Sequence, residues 1–368
     1  MKKVNPIIRW WVTPKLPIED IWAPHSFVSK WIAHPIKRRV ARWYLKLLQK
    51  FTGIKVIAIT GSSGKTTTTQ ILAGILKLDG ETVWSKEGID SVYNIPNTIL
   101  RCSWNTKYLI LEMSVEYVNE MDFYLWLVNP DIAVVTNVFP THTLYFGDEK
   151  GVANEKSKLV KNLSEDGLAV LNQTNKLTKE MAGLTKAKVA WFGIKDHPLE
   201  QNSEAAKVVA ENLNIDSQKI KQGLANYEKP KHRFNVFYHK SGAMIFDDSY
   251  NSNPEAVIST LKTFVKLAKS RKKIAVLGDM LELGTIEENE HRRVGKKIRE
   301  LNFDAVIGVG KLAKFFVSEL DEERTKIWLV EKTEETNPIL LPLLNKKVAV
   351  FIKGSRSIGL DRLVSDLI

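Results

Sequence analysis

The sequence predicts an α/β fold with two successive domains, a central one built on a mostly parallel sheet and a C-terminal one that is Rossmann-like. From Lys55 onward, short β-rich runs alternate with stretches of helical pattern, as they do in parallel sheets covered by helices. The predicted strands are apolar almost throughout, which is typical of strands buried on both faces. With 368 residues, 44% of them hydrophobic and 26% charged, the chain is long enough for two globular domains.

Five strands are predicted in each domain, and a polar stretch with a proline, residues 226–233, is the predicted hinge. Residues 254–270 are predicted to be a helix, because proline is favoured in a first helical turn. The predicted domains are a basic Trp-rich amphipathic arm at 1–50, a central domain at 51–228 and a C-terminal domain at 229–368. The predicted strands are 56–60, 108–113, 132–137, 168–172 and 189–193, then 243–247, 274–278, 305–308, 327–330 and 348–352.

Residues 1–50 differ from the rest of the chain in composition. They hold seven Lys and four Arg against two acidic residues, a net charge of +9, which leaves about +3 of the total of +12 for the remaining residues. They also hold five of the ten tryptophans. Trp beside cations suits peripheral binding to an anionic membrane, and it suits equally a basic arm packed on its own protein. Nucleic acid is the weakest alternative, because no known nucleic-acid-binding module accompanies the charge.

Cysteine content and hydropathy exclude several classes of protein. The single cysteine, Cys102, excludes a disulfide framework and a four-thiolate zinc site. No run reaches the roughly 18 apolar residues that a membrane span needs, and the first 30 residues lack the apolar core of a signal peptide. We therefore expect a cytoplasmic protein, with the inner face of the membrane left open as its location.

The strongest motif, Ile-Thr-Gly-Ser-Ser-Gly-Lys-Thr-Thr at residues 59–67, stands between a predicted strand and a predicted helix. Ile59 replaces the first glycine of the longer phosphate-loop pattern, so the shorter form TGxxGKT is present. Glycines let backbone amides approach phosphate, Lys65 neutralises phosphate charge, and the Thr66 hydroxyl can ligate magnesium. The central domain is therefore predicted to be a P-loop ATPase domain. The predicted ATP-binding residues of this loop are Gly61, Ser62, Ser63, Gly64, Lys65, Thr66 and Thr67.

Polar residues also follow the next two predicted strands. Glu112 ends an apolar run, where the carboxyl edge of a parallel sheet directs side chains into the ligand crevice. It is suited to a magnesium ion bound to ATP. Asn137 and His142 follow the next strand, although from position alone a structural role for His142 is the better interpretation.

These residues belong to a series of motifs that resembles the Mur ligases from about Val56 to the C-terminus. The shared order of the motifs makes chance agreement implausible. YNSNP and LGDMLELG resemble the branch of that family that adds D-alanyl-D-alanine. The motifs are TGSSGKTT at 60–67, Glu112, TNVFPTH at 136–142, FGDEKGVANEKSKL at 146–159, HRF at 232–234, DDSYNSNPEA at 247–256, LGDMLELG at 277–284 and KGSRSIGLDRLV at 353–364.

The resemblance implies a role for each matching residue. Thr66, Glu112, His142 and Lys156 would hold Mg²⁺, with Lys156 carbamylated by carbon dioxide so that it presents an anionic oxygen. Without the resemblance, Lys156 would be interpreted as an exposed cation on a helix over 151–163. The implied ATP contacts beyond the loop are Asn202, Arg233, Asp248 and Asn251, and the implied catalytic residues are Lys65, His142, Lys156, Arg233 and Asp248.

The implied reaction is ATP-dependent ligation of a carboxylate to an amine through an acyl phosphate. Two departures bear on the substrate: relatives have a separate N-terminal domain that holds the UDP-sugar end, and the segment between Trp191 and Asn202 is shortened. Addition of D-alanyl-D-alanine or a similar amine to a cell-wall peptide precursor is the leading interpretation, and an amino-acid or folate-type substrate is the alternative. A membrane-attached, nucleotide-gated binding protein is a third, disfavoured because a switch would not need the full set of catalytic residues.

Overall fold

The computed structural model describes residues Ile7, Trp10, Trp11, 28–195 and 197–368. The chain divides into two compact units, Met1–Lys229 and Pro230–Ile368. Much of the predicted arm, including most of residues 1–27, lies outside the described residues. Within the described residues, no helix is long and apolar enough to cross a membrane.

The first unit is built on a six-stranded sheet in which every neighbouring pair is parallel. Its spatial order places the first strand between the third and the fourth, so the carboxyl ends of these three strands meet at one edge. In chain order the strands are β1 (Lys55–Thr60), β2 (Thr82–Trp84), β3 (Tyr108–Glu112), β4 (Ile132–Val135), β5 (Leu168–Asn172) and β6 (Lys188–Phe192).

Helices cover both faces of this sheet. Along β1, Val56 and Ala58 face one hydrophobic core while Ile57 and Ile59 face the other, as the alternation of strand side chains requires. The described helices of this unit are α1 (His34–Phe51), α2 (Lys65–Leu76), α3 (Ser91–Ile99), α4 (Glu120–Leu127), α5 (Thr143–Phe146), α6 (Glu149–Lys161), α7 (Lys176–Glu180), α8 (Pro198–Asn212) and α9 (Ser217–Asn226).

Helix α1, which is the last part of the predicted arm, packs on the first unit. Ala41, Leu45 and Leu48 enter the same core as Val56 and Ala58. Arg38 is buried with its guanidinium 5.1 Å from the centre of the Phe123 ring, and burial lowers the pKa of this arginine to about 10. One face of α1 therefore packs on the protein itself, as one of the two interpretations of the basic arm expects.

The second unit has its own six-stranded sheet, with the order β11-β10-β9-β12-β8-β7. All pairs are parallel except β7 with β8. Its strands are β7 (Asn235–Tyr238), β8 (Met244–Asp247), β9 (Lys272–Gly278), β10 (Ala305–Val309), β11 (Lys326–Val330) and β12 (Val348–Lys353). Its helices are α10 (Pro254–Ala268), α11 (Glu287–Glu300), α12 (Ala313–Val317), α13 (Thr336–Leu340) and α14 (Leu360–Leu367).

The predicted α/β class with mostly parallel sheets is confirmed, and all ten predicted strands are present within two residues at each end. Two strands were missed, the short β2 and the antiparallel edge strand β7. The predicted helix over 254–270 ends instead at Ala268, because Lys269 turns into a positive-φ conformation (φ 53°). The unit boundary at Lys229–Pro230 falls inside the predicted hinge.

Candidate active site

The phosphate loop, residues 61–64, joins β1 to α2 at the edge where β3 and β4 also end. Gly61 has φ 147° and a Cβ there would lie 1.8 Å from Thr136 Oγ1. Gly64 has φ 82° and a Cβ there would lie 2.3 Å from Asn202 Oδ1. Both positions therefore require glycine, on conformational and on steric grounds.

The segment after β4 holds the loop in place through Thr136 and Asn137. Thr136 Oγ1 donates to the Ser63 carbonyl at 2.6 Å, and Asn137 Oδ1 accepts from the Ser63 amide at 2.9 Å. The Ser62 amide donates to the Asn137 carbonyl at 2.9 Å, and the Ser62 hydroxyl donates to the Phe139 carbonyl at 3.0 Å. The TNVFPTH motif thus orders the phosphate loop, a role that sequence reasoning did not assign to Thr136 or Asn137.

Lys65 and Thr66 begin α2, where the helix N-terminus favours negative charge. Lys65 Nζ donates to the Gly61 carbonyl at 2.9 Å, so its cation lies over the loop. The Thr66 hydroxyl lies 2.9 and 3.2 Å from the two carboxylate oxygens of Glu112, at the end of β3. Thr67 is buried in the same turn. The structure therefore brings together three of the predicted site residues, Lys65, Thr66 and Glu112.

The donor chemistry at Thr66 and Glu112 fits a magnesium ion. A hydroxyl and a carboxylate within hydrogen-bond distance offer hard oxygen ligands, which Mg²⁺ prefers. His142 precedes α5 with φ 54°, on the segment that follows β4. Among the described residues, no group of three His, Cys, Asp or Glu side chains forms a metal cluster. The full predicted ligand set, which includes His142 and Lys156, stays a prediction.

Lys156 lies in α6 and is buried, whereas its helix position alone suggested an exposed cation. The helix begins at Asp148, whose carboxylate accepts from the Gly151 amide at 2.7 Å. Burial, reinforced by the positive charge of Lys65, lowers the pKa of Lys156 to about 7. A substantial fraction of this amine is therefore neutral near pH 7.

Glu120 is a buried carboxyl near Lys156 that sequence reasoning missed. Its Oε2 accepts from the Glu116 amide at 2.7 Å, and the Tyr124 hydroxyl lies 2.5 Å from its Oε1. Burial raises the pKa of Glu120 to about 7, against the effect of these hydrogen bonds. Its charge favours the protonated form of Lys156 but does not outweigh burial. No local sequence pattern distinguishes Glu120 from an exposed residue of α4.

Asn202 lies in α8 and is buried against the phosphate loop. The contact with Gly64 described above places its side-chain oxygen beside the turn that begins α2. The prediction that Asn202 contacts the adenine stays a prediction. Its position beside the loop is a property that the sequence did not indicate.

In the second unit, Asp248 follows β8 and Lys353 ends the neighbouring strand β12. Lys353 Nζ lies 2.6 Å from Asp248 Oδ2 and donates to the Asn251 carbonyl at 2.8 Å, and both charged residues are buried. Burial raises the pKa of Asp248, while Lys353 and Arg233 oppose that rise. Lys353 was missed as a site residue, although it opens the KGSR motif. Its partner is more than 100 positions away in sequence and only the sheet order brings the two together.

Arg233 and Asn251 lie around the same loop of the second unit. The Arg233 guanidinium carbon lies 4.0 Å from the centre of the Tyr250 ring, a cation–π contact that orients the side chain. Asn251 is exposed, and its Oδ1 accepts from the Ser252 amide at 2.8 Å. His232 Nδ1 lies 2.9 Å from Asp247 Oδ2 beside them. The structure therefore groups Arg233, Asp248 and Asn251, as the sequence predicted.

Comparison with known proteins agrees with this architecture. A family model described as Mur ligase middle domain matches residues 59–237, and one described as Mur ligase, glutamate ligase domain matches residues 232–356. A relative from Buchnera aphidicola, named UDP-N-acetylmuramoyl-tripeptide–D-alanyl-D-alanine ligase, is 29% identical over 90% of this chain and 78% of its own.

Solved structures share the fold. The crystal structure of MurF from Acinetobacter baumannii matches with a TM-score of 0.81 and 24% identity, covering 91% of this chain and 80% of that chain. MurF ligase from Thermotoga maritima in complex with ADP matches with a TM-score of 0.78 and 24% identity, covering 96% of this chain and 86% of that chain.

A phosphate loop on a parallel sheet, followed by a second α/β unit of this topology, defines an ATP-dependent ligase that joins a carboxylate to an amine. The chain belongs to the Mur ligase family, because the two family models together span residues 59–356.

Proposed function

We propose that this ligase joins D-alanyl-D-alanine, or a closely similar amine, to the terminal carboxylate of a cell-wall peptide precursor. The names of its relatives support this substrate. The observation that carries the chemistry is the buried Lys156 amine, which lies within the electrostatic influence of Lys65 and so offers a reactive group near the phosphate loop. ATP is consumed and ADP and phosphate are formed.

The phosphate loop binds the ATP phosphates through its backbone amides, and Lys65 neutralises the charge that develops as ADP leaves. The substrate carboxylate attacks the γ-phosphorus and forms an acyl phosphate. The incoming amine attacks its carbonyl carbon, and phosphate leaves the tetrahedral intermediate. Such transfer depends mostly on positioning and charge neutralisation. Asn202, Arg233, Asp248 and Asn251 are the further proposed ATP contacts.

Thr66 and Glu112 are the proposed ligands of Mg²⁺, with His142 and Lys156 completing the predicted set. Bound Mg²⁺ would offset the negative charge shared by ATP and the substrate carboxylate. The hydrogen bond between Thr66 and Glu112 orients both oxygens before any ion binds.

Lys156 is proposed to carry a carbamate. Its neutral amine attacks the carbon of CO₂, an N–C bond forms, one C=O bond pair moves to oxygen, and the nitrogen gives its proton to water. Only the neutral amine has the lone pair for this step, so a pKa of about 7 makes the reaction accessible near neutral pH. The product is an anionic oxygen ligand in place of a cation beside Lys65.

The substrate is tested by measuring ATP-dependent phosphate release with UDP-N-acetylmuramoyl tripeptide and D-alanyl-D-alanine together. Release should require both, and mass spectrometry should show the ligated pentapeptide. Parallel reactions with a folate and glutamate, and with single amino acids, test the alternative substrates. Product formation with only the folate pair would overturn the cell-wall substrate while leaving the ligase chemistry in place.

We infer a cytoplasmic location for this reaction, because ATP and UDP-linked precursors are cytoplasmic metabolites. Fractionation of cells with an antibody to the chain tests it. Whether the enzyme also binds the inner face of the membrane depends on the exposed surface of helix α1.

A further inference from the structure

Helix α1 has two apolar faces, and only one of them is used for packing in the described structure. Ala41, Leu45 and Leu48 are buried in the first unit. On the other face, Trp43 is 65% exposed and Val40 is 47% exposed, with Ile36 and Phe51 similarly open. A helix that packs on a domain by one face normally presents polar residues on the other.

The apolar residues of this face form one continuous stripe, the outer stripe, of Ile36, Val40, Trp43, Leu47 and Phe51, of which Leu47 is half-buried and the other four are exposed. Steps of four, three, four and four positions place them on one side of an α-helix. The buried residues at positions 38, 41, 45 and 48 lie on the opposite side. Because most of the outer stripe is exposed and not buried in the unit, its apolar character points to a binding surface.

The charge around the outer stripe has a single sign. Lys46 and Lys50 are exposed beside it, and α1 contains six basic residues and no acidic one. No Asp or Glu occurs anywhere between Asp20 and Asp79. A partner for this face must therefore offer negative charge together with apolar surface.

We propose that the outer stripe of α1 binds the surface of an anionic lipid bilayer. An anionic bilayer supplies apolar chains beneath a negatively charged headgroup layer, and indole rings such as that of Trp43 favour this boundary. A second copy of the chain is a poorer fit, because it would bring two helices with six basic residues each into contact. The proposal is independent of which substrate the enzyme ligates.

The structure also fixes how α1 would bind. Its 18 residues correspond to about 27 Å of helix. Because one face is buried on the first unit and the helix contains six basic residues, it would lie in the plane of the headgroups. The helix is held on neighbouring segments of the first unit through Arg38, through Arg42 Nε to the Trp126 carbonyl at 2.7 Å, and through the Tyr44 hydroxyl to the Cys102 carbonyl at 2.8 Å. The helix is thus ordered before binding, and membrane association orders no new segment there.

The test is co-sedimentation of the full chain with vesicles of phosphatidylcholine alone or mixed with phosphatidylglycerol. Binding should require phosphatidylglycerol and should weaken as salt rises from about 0.05 M to about 0.5 M. The double variant Val40→Asn, Trp43→Gln should bind at least about tenfold more weakly, because it removes the apolar contact. Trp104→Gln is the matched control, since Trp104 is 56% exposed elsewhere on the same unit.

A second pair of variants separates charge from apolar contact. Lys46→Gln with Lys50→Gln should weaken binding by roughly tenfold or more and flatten its salt dependence. The matched control removes the exposed Lys176 and Lys179 of α7 and should bind as the parent does. ATP-dependent phosphate release in solution should be equal in all these variants, which shows that they are folded and keeps the result separate from the ligase proposal.

Three outcomes would overturn the proposal. The first is no sedimentation of the parent with phosphatidylglycerol vesicles at low salt, and the second is equal loss in the Trp104→Gln control. The third is a concentration-dependent dimer, seen by sedimentation equilibrium, that the double variant Val40→Asn, Trp43→Gln disperses while vesicle binding is absent. In that case the outer stripe is an interface between two copies of the chain.

Discussion

Lys156 in the first unit and Lys353 in the second are both buried, yet the charged groups that act most strongly on them have opposite signs. Lys353 lies 2.6 Å from the Asp248 carboxylate and donates to a backbone carbonyl. Lys156 has the cation of Lys65 near it, and burial together with that charge lowers its pKa to about 7. Burial alone therefore does not decide what a lysine does.

A buried lysine that forms an ion pair with a carboxylate holds two chain segments together. A buried lysine beside another cation becomes an amine that gives up its proton easily, which suits covalent chemistry. Under the proposed mechanism, the two units of this ligase would use the same residue type for positioning in one case and for reaction in the other.

The largest effect on activity is expected from Lys65→Ala. This substitution removes the cation that acts on Lys156, whereas Lys353 pairs with a carboxylate. ATP turnover should fall by about 10³ or more, because Lys65 neutralises phosphate charge. Phosphate release under saturating ATP measures this, and Lys77→Ala at the other end of α2 is the control, since Lys77 is exposed. If Lys65→Ala turned over ATP as fast as the parent, the assignment of this loop as the ATP phosphate site would be wrong.

Lys156→Ala should lower activity by about 10² or more, and acetate or formate should restore part of it by supplying a carboxylate where the carbamate is lost. Lys353→Ala should show no such rescue, because Lys353 acts as a cation. Lys161→Ala, at an exposed position of the same helix as Lys156, is the control for α6. If acetate or formate rescued both Lys156→Ala and Lys353→Ala, or neither, the two lysines would not differ in chemical role as proposed.

Lys353→Met should destabilise the second unit by about 3–5 kcal/mol, because Asp248 is left buried without its ion pair. Lys156→Met should cost the first unit less than about 1 kcal/mol, since an apolar side chain avoids the cost of burying a charge. Denaturant unfolding of each variant measures both. The double variant Lys353→Met, Asp248→Leu should recover most of the stability but not the activity. Equal losses in the two single variants would contradict the comparison.

The smallest step between two measured conditions is expected in a pH dependence of stability. The pKa of Lys156 is about 7 in the folded chain against an ordinary value of 10.5, so the unfolded chain binds more protons between these values. The free energy of unfolding of the parent, relative to Lys156→Met, should therefore rise with pH from 7 toward 10 by up to about 1.4 kcal/mol per unit. Unfolding in CO₂-free buffer at several pH values tests this. A difference that is flat, or that falls with pH, would show that Lys156 is not held as a neutral amine.

The sequence predicted the elements whose signals are local. The glycines of the phosphate loop and the apolar strands follow from motifs and periodicity, whereas the grouping of Arg233 with Asp248 was implied by the family resemblance. The strand Thr82–Trp84 was missed because three residues show no periodicity, and Asn235–Tyr238 because its exposed edge position gives it no continuous apolar run.

The sequence did not predict the contacts that depend on strand order. Lys353 meets Asp248 only because β12 and β8 are neighbours. The lowered pKa of Lys156 depends on its burial and on the position of Lys65 in another helix. The acidic Glu120 has no sequence signal of its own, since its burial arises from the packing of α4 on the unit. For the same reason the likeness to known ligases was needed to assign a role to Lys156.

The way α1 is held has a consequence for shortening the chain. Removal of the N-terminal residues through Phe51 would strip Ala41, Leu45 and Leu48 from the core and leave the Phe123 ring and its neighbours facing water. Such a truncated enzyme should aggregate or melt at a lower temperature even if the ligase chemistry does not use the helix. N-terminal trimming should therefore stop before the first of these buried residues, Ala41.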